Sequence, residues 1–449
     1  MKRTFLILIS ILIVCGGLFA QNKRLDTTSF IVLGEGLAAG MGNFSLSQAT
    51  QEYSFPAQMA RQMGTLVVQP LIQPPGIGNA PGFTQLPIRI PGILQTTVRT
   101  QNQAQFSLYV TNLSVPGMRL ADAISRRPQP PLIHRNDELQ TSINFILGFP
   151  ALVVEVDGKK APLWNQIEYA QNMFPTLALV ELGYYEVLEA AVKGDATLLP
   201  DPAVFRTNYA KVVAALRGQF ADVVVTTIPD PLSTAYFSNV SEAAQLLRTL
   251  PYIIAGLWDV KFEDYITIPG LNEMGPQILD RNIKPLSSGS VLRQTAASAI
   301  SARVKALNAV ISDIAKQNGA VLCDLNALFN KVDAQGVTVG GRTLTSGYLG
   351  GFYQLNGYYP GITGQALIAN EILAALNKQF GNSLTSVNAA SLLASDPAAN
   401  SIPVAQGPDI TTEELIQGLT INGSPISGET AARLRLLSQS SSDSPKTDK

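Results

Sequence analysis

Histidine and cysteine are nearly absent from this chain of 449 residues, which has one histidine, His134, and two cysteines, Cys15 and Cys323. Structural zinc sites are built from three or four such ligands, so the composition excludes Cys and His zinc chemistry. Cys15 lies in an apolar N-terminal run, which leaves Cys323 without an intramolecular disulfide partner once that run is removed. Because Cys323 stands in the apolar run GAVLCDL, we expect a small buried side chain.

An excess of charge of either sign is also lacking. The 32 Lys and Arg residues nearly balance the 33 Asp and Glu residues, and the formal net charge is −1. Nucleic acids and other polyanions attract strongly basic surfaces, so no nucleic acid partner is expected. No calcium-loop spacing occurs either, and the sequence predicts no metal and no cofactor.

Long hydrophobic runs are confined to the N-terminus. Lys2 and Arg3 precede TFLILISILIVCGGLFA, and the charged QNKR follows. A basic start, an apolar run and a small residue, Ala20, are typical of a signal peptide over residues 1–20. We therefore expect export to the periplasm, the cell envelope or the outside, with no stable transmembrane span in the mature chain. The alternative is that the run is retained as an N-terminal anchor.

Short apolar or β-branched runs alternate with helical patterns along the chain. The candidate strands are SFIVL (29–33), SLYVTN (107–112), LALVEL (177–182), DVVVTTI (222–228) and AVLCDL (320–325). This alternation predicts an α/β domain in which five parallel strands form a sheet with helices on both faces.

Three insertions interrupt the predicted domain, at about residues 65–106, 127–170 and 230–290. The first is rich in Pro, Gly and Gln, and the second contains Asp157-Gly158, which predicts a hairpin. Beyond residue 380 the composition turns to Ser, Asn, Ala and Asp. Residues 381–449 are therefore predicted to form a low-complexity, largely disordered tail.

Four short blocks lie where the predicted strands end or the last helix begins, which is where ligands gather in open parallel sheets. Gly34-Glu35-Gly36-Leu37 follows the first strand, and NLSVPG, ending at Gly117, follows the second. Gly183-Tyr184-Tyr185-Glu186 follows the third strand, and Asn356-Gly357-Tyr358-Tyr359-Pro360 precedes the last helix.

Taken in this order, the blocks resemble those of the GDSL or SGNH superfamily of esterases and lipases. The resemblance implies a flavodoxin-like, three-layer α/β/α sandwich, the SGNH-hydrolase fold, over residues 28–380. It places the family's serine nucleophile at Gly36, the triad aspartate at Asn356 and the triad histidine at Tyr359.

The resemblance also implies an oxyanion hole from which the original side chain has been lost. Gly36 and Gly117 occupy the positions whose backbone amides contribute to it, and Tyr185 replaces the family's asparagine. This gives a vestigial oxyanion hole.

The residues at the triad positions cannot cleave an ester by the family's mechanism, which needs an oxygen nucleophile, a base and a group that orients the base. Gly36 has no side-chain oxygen. The phenol of Tyr359 has an ordinary pKa of about 10, which makes it a poor base at neutral pH. Asn356 carries no charge. We therefore predict no catalytic residue at these positions.

A pocket is the remaining candidate site. Glu35, Tyr184, Glu186 and Tyr358 are expected at the same rim, where tyrosine faces suit an acyl, lipid or glycan ligand. Two further alternatives stay open: the tyrosines fill the vacated cleft, and the two glutamates either satisfy backbone amides or form the carboxylate pair of a glycosidase.

The sequence thus supports three hypotheses. The first is an exported, catalytically inactive pseudoenzyme with a tyrosine-lined pocket. The second is an active secreted esterase or lipase with relocated catalytic residues, for which His134, with Asp137 three residues later, is the candidate base. The third is a structural or partner-binding module of the cell envelope, which is favoured if the tyrosines are buried and the pocket is closed.

Overall fold

A computed structural model describes residues 24–74, 76–78, 80–83, 109–148, 152, 155–156, 159–160, 162–400 and 412–442. The predicted signal peptide, most of the first insertion and residues 401–411 and 443–449 of the predicted tail lie outside the described residues.

The strands are β1 (Phe30–Gly34), β2 (Glu155–Val156), β3 (Lys159–Lys160), β4 (Leu177–Glu181), β5 (Asp222–Thr226), β6 (Phe237–Asn239), β7 (Tyr265–Thr267), β8 (Asn282–Ile283), β9 (Val291–Leu292), β10 (Val321–Cys323), β11 (Val337–Val339), β12 (Arg342–Leu344), β13 (Thr420–Ile421) and β14 (Ser424–Pro425). The α-helices are α1 (Gly36–Ala39), α2 (Gln48–Gln51), α3 (Phe55–Met63), α4 (Leu120–Ser125), α5 (Glu138–Ile146), α6 (Gln166–Asn172), α7 (Tyr184–Lys193), α8 (Pro202–Arg217), α9 (Val240–Leu247), α10 (Pro251–Trp258), α11 (Ile268–Leu279), α12 (Gln294–Asn318), α13 (Leu325–Gln335), α14 (Ile362–Phe380), α15 (Thr412–Ile416) and α16 (Gly428–Ser442).

The main sheet has the strand order β1, β4, β5, β10, and all of its pairs are parallel. Every residue of β1, β4 and β5 is buried, as expected of apolar strands covered on both faces. The prediction of an α/β fold with a parallel sheet is confirmed. Cys323 is buried in β10, and the apolar surroundings raise the pKa of its thiol to about 12.

The structure corrects the prediction of a fifth strand at residues 107–112, since the main sheet has four strands among the described residues. Asn112 forms a single parallel bridge with Val32. The amide of Leu113 donates to the carbonyl of Val32 at 2.9 Å, whereas the amide of Thr111, which would continue the ladder, donates to the carbonyl of Val68 at 2.8 Å. This segment therefore runs beside β1 without forming a regular strand.

The third insertion and the C-terminal segment share a second apolar core. β6, β7 and β9 form an antiparallel sheet, and β13 pairs with both β8 and β14. Leu415, Leu419 and Leu434 are buried against α9, α10 and α11. These leucines explain why residues 412–442 pack, although the composition of the tail predicts disorder.

The beginning of the tail packs on the main domain. Residues Ala389–Ser395 form a 3-10 helix, and the buried carboxylate of Asp396 accepts a 2.7 Å hydrogen bond from the amide of Thr363 at the start of α14. Among the described helices, none is both long enough and apolar enough to cross a membrane.

Candidate functional site

A tight turn joins β1 to α1 at the carboxyl edge of the sheet. Glu35 is the N-cap of α1, and its Oε1 accepts a hydrogen bond of 2.7 Å from the amide of Leu37. The short helix ends at Gly40 in a left-handed conformation with φ 80°. This local structure places the backbone of Gly36 at the edge, where the resemblance puts the nucleophile.

The ring of Tyr359 occupies the space that a side chain at Gly36 would need. A Cβ atom on Gly36 would lie 2.8 Å from Cζ of Tyr359 and closer still to its hydroxyl oxygen. Tyr359 is fully buried, and its hydroxyl donates a 2.8 Å hydrogen bond to Oε2 of Glu35. Burial and the neighbouring Glu35 hold the pKa of the Tyr359 phenol well above its usual range, so it cannot act as a base.

Asn356 holds the turn that carries Tyr359. Its Oδ1 accepts hydrogen bonds from the amides of Tyr358 and Tyr359, at 3.0 and 2.9 Å, and its Nδ2 donates to the carbonyl of Asn43. The side chain of Asn356 therefore binds backbone groups. The structure thus brings together the three residues that the resemblance assigns to the triad, and none of them supplies a nucleophile or a base.

Two more tyrosines complete a closed cluster around Tyr359. Tyr184 and Tyr358 are fully buried, with ring centroids 6.3 and 5.0 Å from that of Tyr359. The hydroxyl of Tyr184 donates to the carbonyl of Tyr358 at 3.2 Å, and that of Tyr358 donates to the carbonyl of Pro81 at 3.1 Å. The hydroxyl groups of all three tyrosines are thus hydrogen-bonded within the protein. Their rings fill the carboxyl edge of the sheet and expose no face to a ligand.

Tyr185 covers the second glycine of the predicted oxyanion hole. Gly117 has φ 82°, and a Cβ placed on it would lie 3.7 Å from Cζ of Tyr185. The Tyr185 side chain is partly buried, and burial raises the pKa of its phenol. The ring of Tyr185 therefore lies close to the backbone of Gly117.

A pair of buried carboxyl groups lies beneath the turn, and sequence reasoning missed one of them. Oε2 of Glu181, the last residue of β4, accepts hydrogen bonds of 3.3 Å from the amides of Glu35 and Ala38. Neither glutamate forms a salt bridge within the described part of the chain. The sequence signal for Glu181 was its position as the acidic residue that ends the apolar run LALVE.

Burial controls the protonation of this pair. Removal from water raises the pKa of Glu35 to about 7. Burial and the neighbouring Glu35 raise the pKa of Glu181 well above its usual range. The hydrogen bonds that Glu35 accepts from the hydroxyl of Tyr359 and the amide of Leu37 favour its charged form and partly offset the effect of burial on its pKa.

Glu186 also serves the backbone. It lies in the first turn of α7, and its Oε1 accepts a 2.7 Å hydrogen bond from the amide of Leu120. Burial raises its pKa to about 7. Glu35 and Glu186 are both buried and both bind turn or helix-start amides, so the geometry favours the structural interpretation over a glycosidase pair.

His134 is engaged within its own loop. Its Nε2 lies 3.2 Å from the carbonyl oxygen of Gln129. Asp137 binds Arg126 and accepts the amide of Gln140 at 2.9 Å as the N-cap of α5, so it does not orient the imidazole. Within the described ranges, no group of three His, Cys, Asp or Glu side chains is arranged to hold a metal ion.

A surface cavity of about 260 Å³ lies elsewhere, beside α3. It is lined by Glu52, Ala57, Arg61, Val67, Val68, Gln69 and Leu71. None of the residues predicted for the site lines this cavity.

No family model and no curated protein sequence matches the chain. Among solved structures, it is similar to phospholipase A1 from Streptomyces albidoflavus NA297, with 13% identity over 79% of this chain and 100% of that one and a TM-score of 0.33. It is similar to the esterase EstA from Pseudoalteromonas sp. at 13% identity, covering 80% and 100% of the two chains, with a TM-score of 0.32. It is also similar to an extracellular lipase from Streptomyces rimosus at 14% identity, covering 78% and 99%, with a TM-score of 0.33.

Proposed function

We propose that this chain is a catalytically silent relative of the GDSL and SGNH hydrolases, with a three-layer arrangement in which residues 109–115 are the remnant of the fifth strand. One observation carries the proposal. The phenol of Tyr359 occupies the space of a side chain at Gly36, so the positions of base and nucleophile have become neighbours in the core.

The closed edge has an energetic reason to stay closed. An ester bound at Gly36 would have to displace the Tyr359 ring and break its hydrogen bond to Glu35. An unpartnered buried polar group costs about 1–3 kcal/mol, and more when it is charged. Glu35 is buried and forms no salt bridge among the described residues, so the loss of this hydrogen bond opposes opening of the carboxyl edge.

The same closure bears on the role of the protein. A pocket for an acyl, lipid or glycan ligand requires accessible faces on Tyr184 and Tyr358, and both side chains are fully buried. The geometry therefore favours a structural or partner-binding module of the cell envelope. Export is supported by the signal-peptide pattern of residues 1–20.

Hydrolysis of p-nitrophenyl butyrate and p-nitrophenyl palmitate by the purified protein tests this proposal. We expect rates equal to those of buffer. The matched control is H134A, which removes the only histidine. Turnover by the parent protein that H134A abolishes would overturn the proposal and support an esterase with relocated catalytic residues.

A further inference from the structure

The segment that follows α3 is hydrogen-bonded to the fold at every second residue. The amide of Val68 donates to Oγ1 of Thr111 at 2.8 Å, and its carbonyl accepts the amide of Thr111 at 2.8 Å. The amide of Ile72 donates to Oε1 of Gln51 at 2.8 Å, and its carbonyl accepts the amide of Gln48 at 2.7 Å. These two residues therefore attach the segment to the domain through their backbone groups.

The residues between them carry backbone groups without partners. Within the described ranges, neither the amide nor the carbonyl of Val67, Gln69 or Leu71 forms a hydrogen bond. Backbone groups of successive strand residues point to opposite edges, so the alternation is that of an extended strand bonded along one edge only. We call the other edge, formed by Val67, Gln69 and Leu71, the free edge.

The free edge lacks the usual protection against pairing. Natural strand edges are blocked by proline, charged side chains or bulges, because free amides and carbonyls are a template for another chain. The proline of this segment, Pro70, belongs to the bonded edge, where its carbonyl accepts Nε2 of Gln51 at 2.9 Å. None of the three free-edge residues is a proline or carries a charge. The free edge therefore retains the groups that pair with a second strand.

The cavity of about 260 Å³ beside α3 adjoins the free edge. Val67, Gln69 and Leu71 all line it, and Ala57 and Arg61, one helical turn apart, line it from α3. A space with a helix on one side and the segment on the other suits a single extended chain better than a second folded copy. The valine, leucine and alanine side chains give the cavity an apolar wall, which suits an aliphatic side chain.

The charges that line the cavity favour a carboxylate near Arg61. The exposed guanidinium of Arg61 donates through Nη1 to the carbonyl of Glu52 at 3.1 Å, and it forms no salt bridge with any described residue. Glu52 lines the same cavity, and its own Oε1 accepts Nε2 of Gln48 at 2.9 Å. Arg61 therefore retains donors for a charge-assisted hydrogen bond to a carboxylate of a bound chain.

We propose that the free edge binds an extended segment of another protein by strand addition. The bound segment carries an aliphatic residue that enters the cavity and, two residues away, an Asp or Glu that binds Arg61. Alternate residues of a strand lie on one face about 7 Å apart, so both side chains face the cavity together. Main-chain hydrogen bonds supply affinity, and the cavity supplies selectivity. The inference does not depend on whether the carboxyl edge hydrolyses esters.

Binding of the blocked peptide acetyl-Thr-Asp-Thr-Val-Thr-Leu-Thr-amide to the full chain tests the proposal. R61Q removes the cation at the cavity. K211Q is the matched control, because it removes an exposed charge from α8, which does not line the cavity. We expect R61Q to weaken binding about tenfold and K211Q to leave it unchanged. Equal affinities of R61Q and K211Q, or a peptide that does not bind the parent protein, would overturn the proposal.

N-methylation of the peptide distinguishes strand addition from binding through side chains alone. A methyl group on the valine nitrogen removes a donor from one edge of the peptide, and a methyl group on the next threonine nitrogen removes a donor from the other edge. Because only one edge pairs with the free edge, we expect one methylated peptide to bind about tenfold more weakly than the other. Equal affinities of the two methylated peptides would contradict strand addition.

Hydrogen exchange resolved to single amides tests the free edge itself. We expect the amides of Val67, Gln69 and Leu71 to exchange rapidly in the protein alone and to be protected in the complex. Val68 is the internal control, because its amide donates to Thr111 in both states. Protection of the free edge in the protein alone would overturn the proposal. Protection that grows with protein concentration would assign the free edge to a second copy of the chain instead.

Discussion

Tyr359 donates a 2.8 Å hydrogen bond to Glu35, and the two side chains are fully buried together beside Gly36. This bond joins the residue that the resemblance assigns to the base to the residue before the one that it assigns to the nucleophile. The ring fills the vacated space, and the carboxylate accepts the hydroxyl. One contact therefore explains both the missing side chain at Gly36 and the presence of an acid at residue 35.

The first prediction concerns that bond. Y359F keeps the ring and removes the donor, so the Glu35 carboxylate loses one partner in a site without a cation. We expect the free energy of unfolding to fall by about 1–3 kcal/mol in urea titrations. Y358F is the matched control, because its hydroxyl binds the neutral carbonyl of Pro81 and its loss costs about 1 kcal/mol. Equal stability of Y359F and the parent would contradict the assigned role.

The second prediction concerns space at Gly36. G36A places a Cβ 2.8 Å from Cζ of Tyr359, and overpacking of this kind costs about 1–3 kcal/mol. The double variant G36A/Y359A removes the obstacle, so we expect the two changes to be less destabilising together than their sum. G428A is the control, because a Cβ there meets no atom within 4 Å. Additive effects of G36A and Y359A would show that the two positions do not compete for space.

The third prediction is a dependence of stability on pH. Glu35 and Glu186 have folded pKa values of about 7, against about 4.5 when unfolded, so the folded state binds more protons between these values. The stability that these groups contribute is then full below about pH 4.5 and is lost as the pH rises through about 7. Between these two pH values each group contributes a slope of about 1.4 kcal/mol per pH unit.

Urea unfolding of the parent and E186Q at pH 5 and pH 8 measures this slope. E186Q cannot release the proton, so its stability relative to the parent should improve from pH 5 to pH 8. E52Q is the control, because Glu52 is exposed. A parent protein that becomes more stable over the same interval would contradict the assignment of Glu35 and Glu186 as buried acids without cations.

Turns at strand ends could be predicted from the sequence because glycine turns leave strong local signals. Gly36 directly follows β1 and Gly117 lies in a left-handed turn, while β2 and β3, on either side of the predicted Asp157-Gly158 turn, pair antiparallel. The orientation of Tyr359 could not be predicted in the same way. A phenol can line a cleft or fill it, and the choice depends on acceptors such as Glu35, which only the fold brings within reach.

Two other features escaped sequence reasoning for physical reasons. Glu181 ends an apolar strand, and nothing local indicates that its carboxyl will serve amides of another strand's turn. The segment at residues 107–112 has the composition of a strand, but two of its amides turn to Val68. In both cases the structure depends on hydrogen-bond partners that are distant in the sequence.

The last prediction is the recovery of hydrolysis by G36S/Y185N/N356D/Y359H. A serine at position 36 is sterically compatible only if the phenol of Tyr359 is removed, so G36S and Y359H must be combined. N356D then places a carboxylate three residues before the new histidine, in a turn that Asn356 already holds through the amides of Tyr358 and Tyr359. A positioned base typically contributes about 10²–10⁴ to the rate. We expect turnover of p-nitrophenyl butyrate about 10²-fold above a control with G36A in place of G36S. A folded but inactive variant would mean that Tyr184 and Tyr358 close the edge without help from Tyr359.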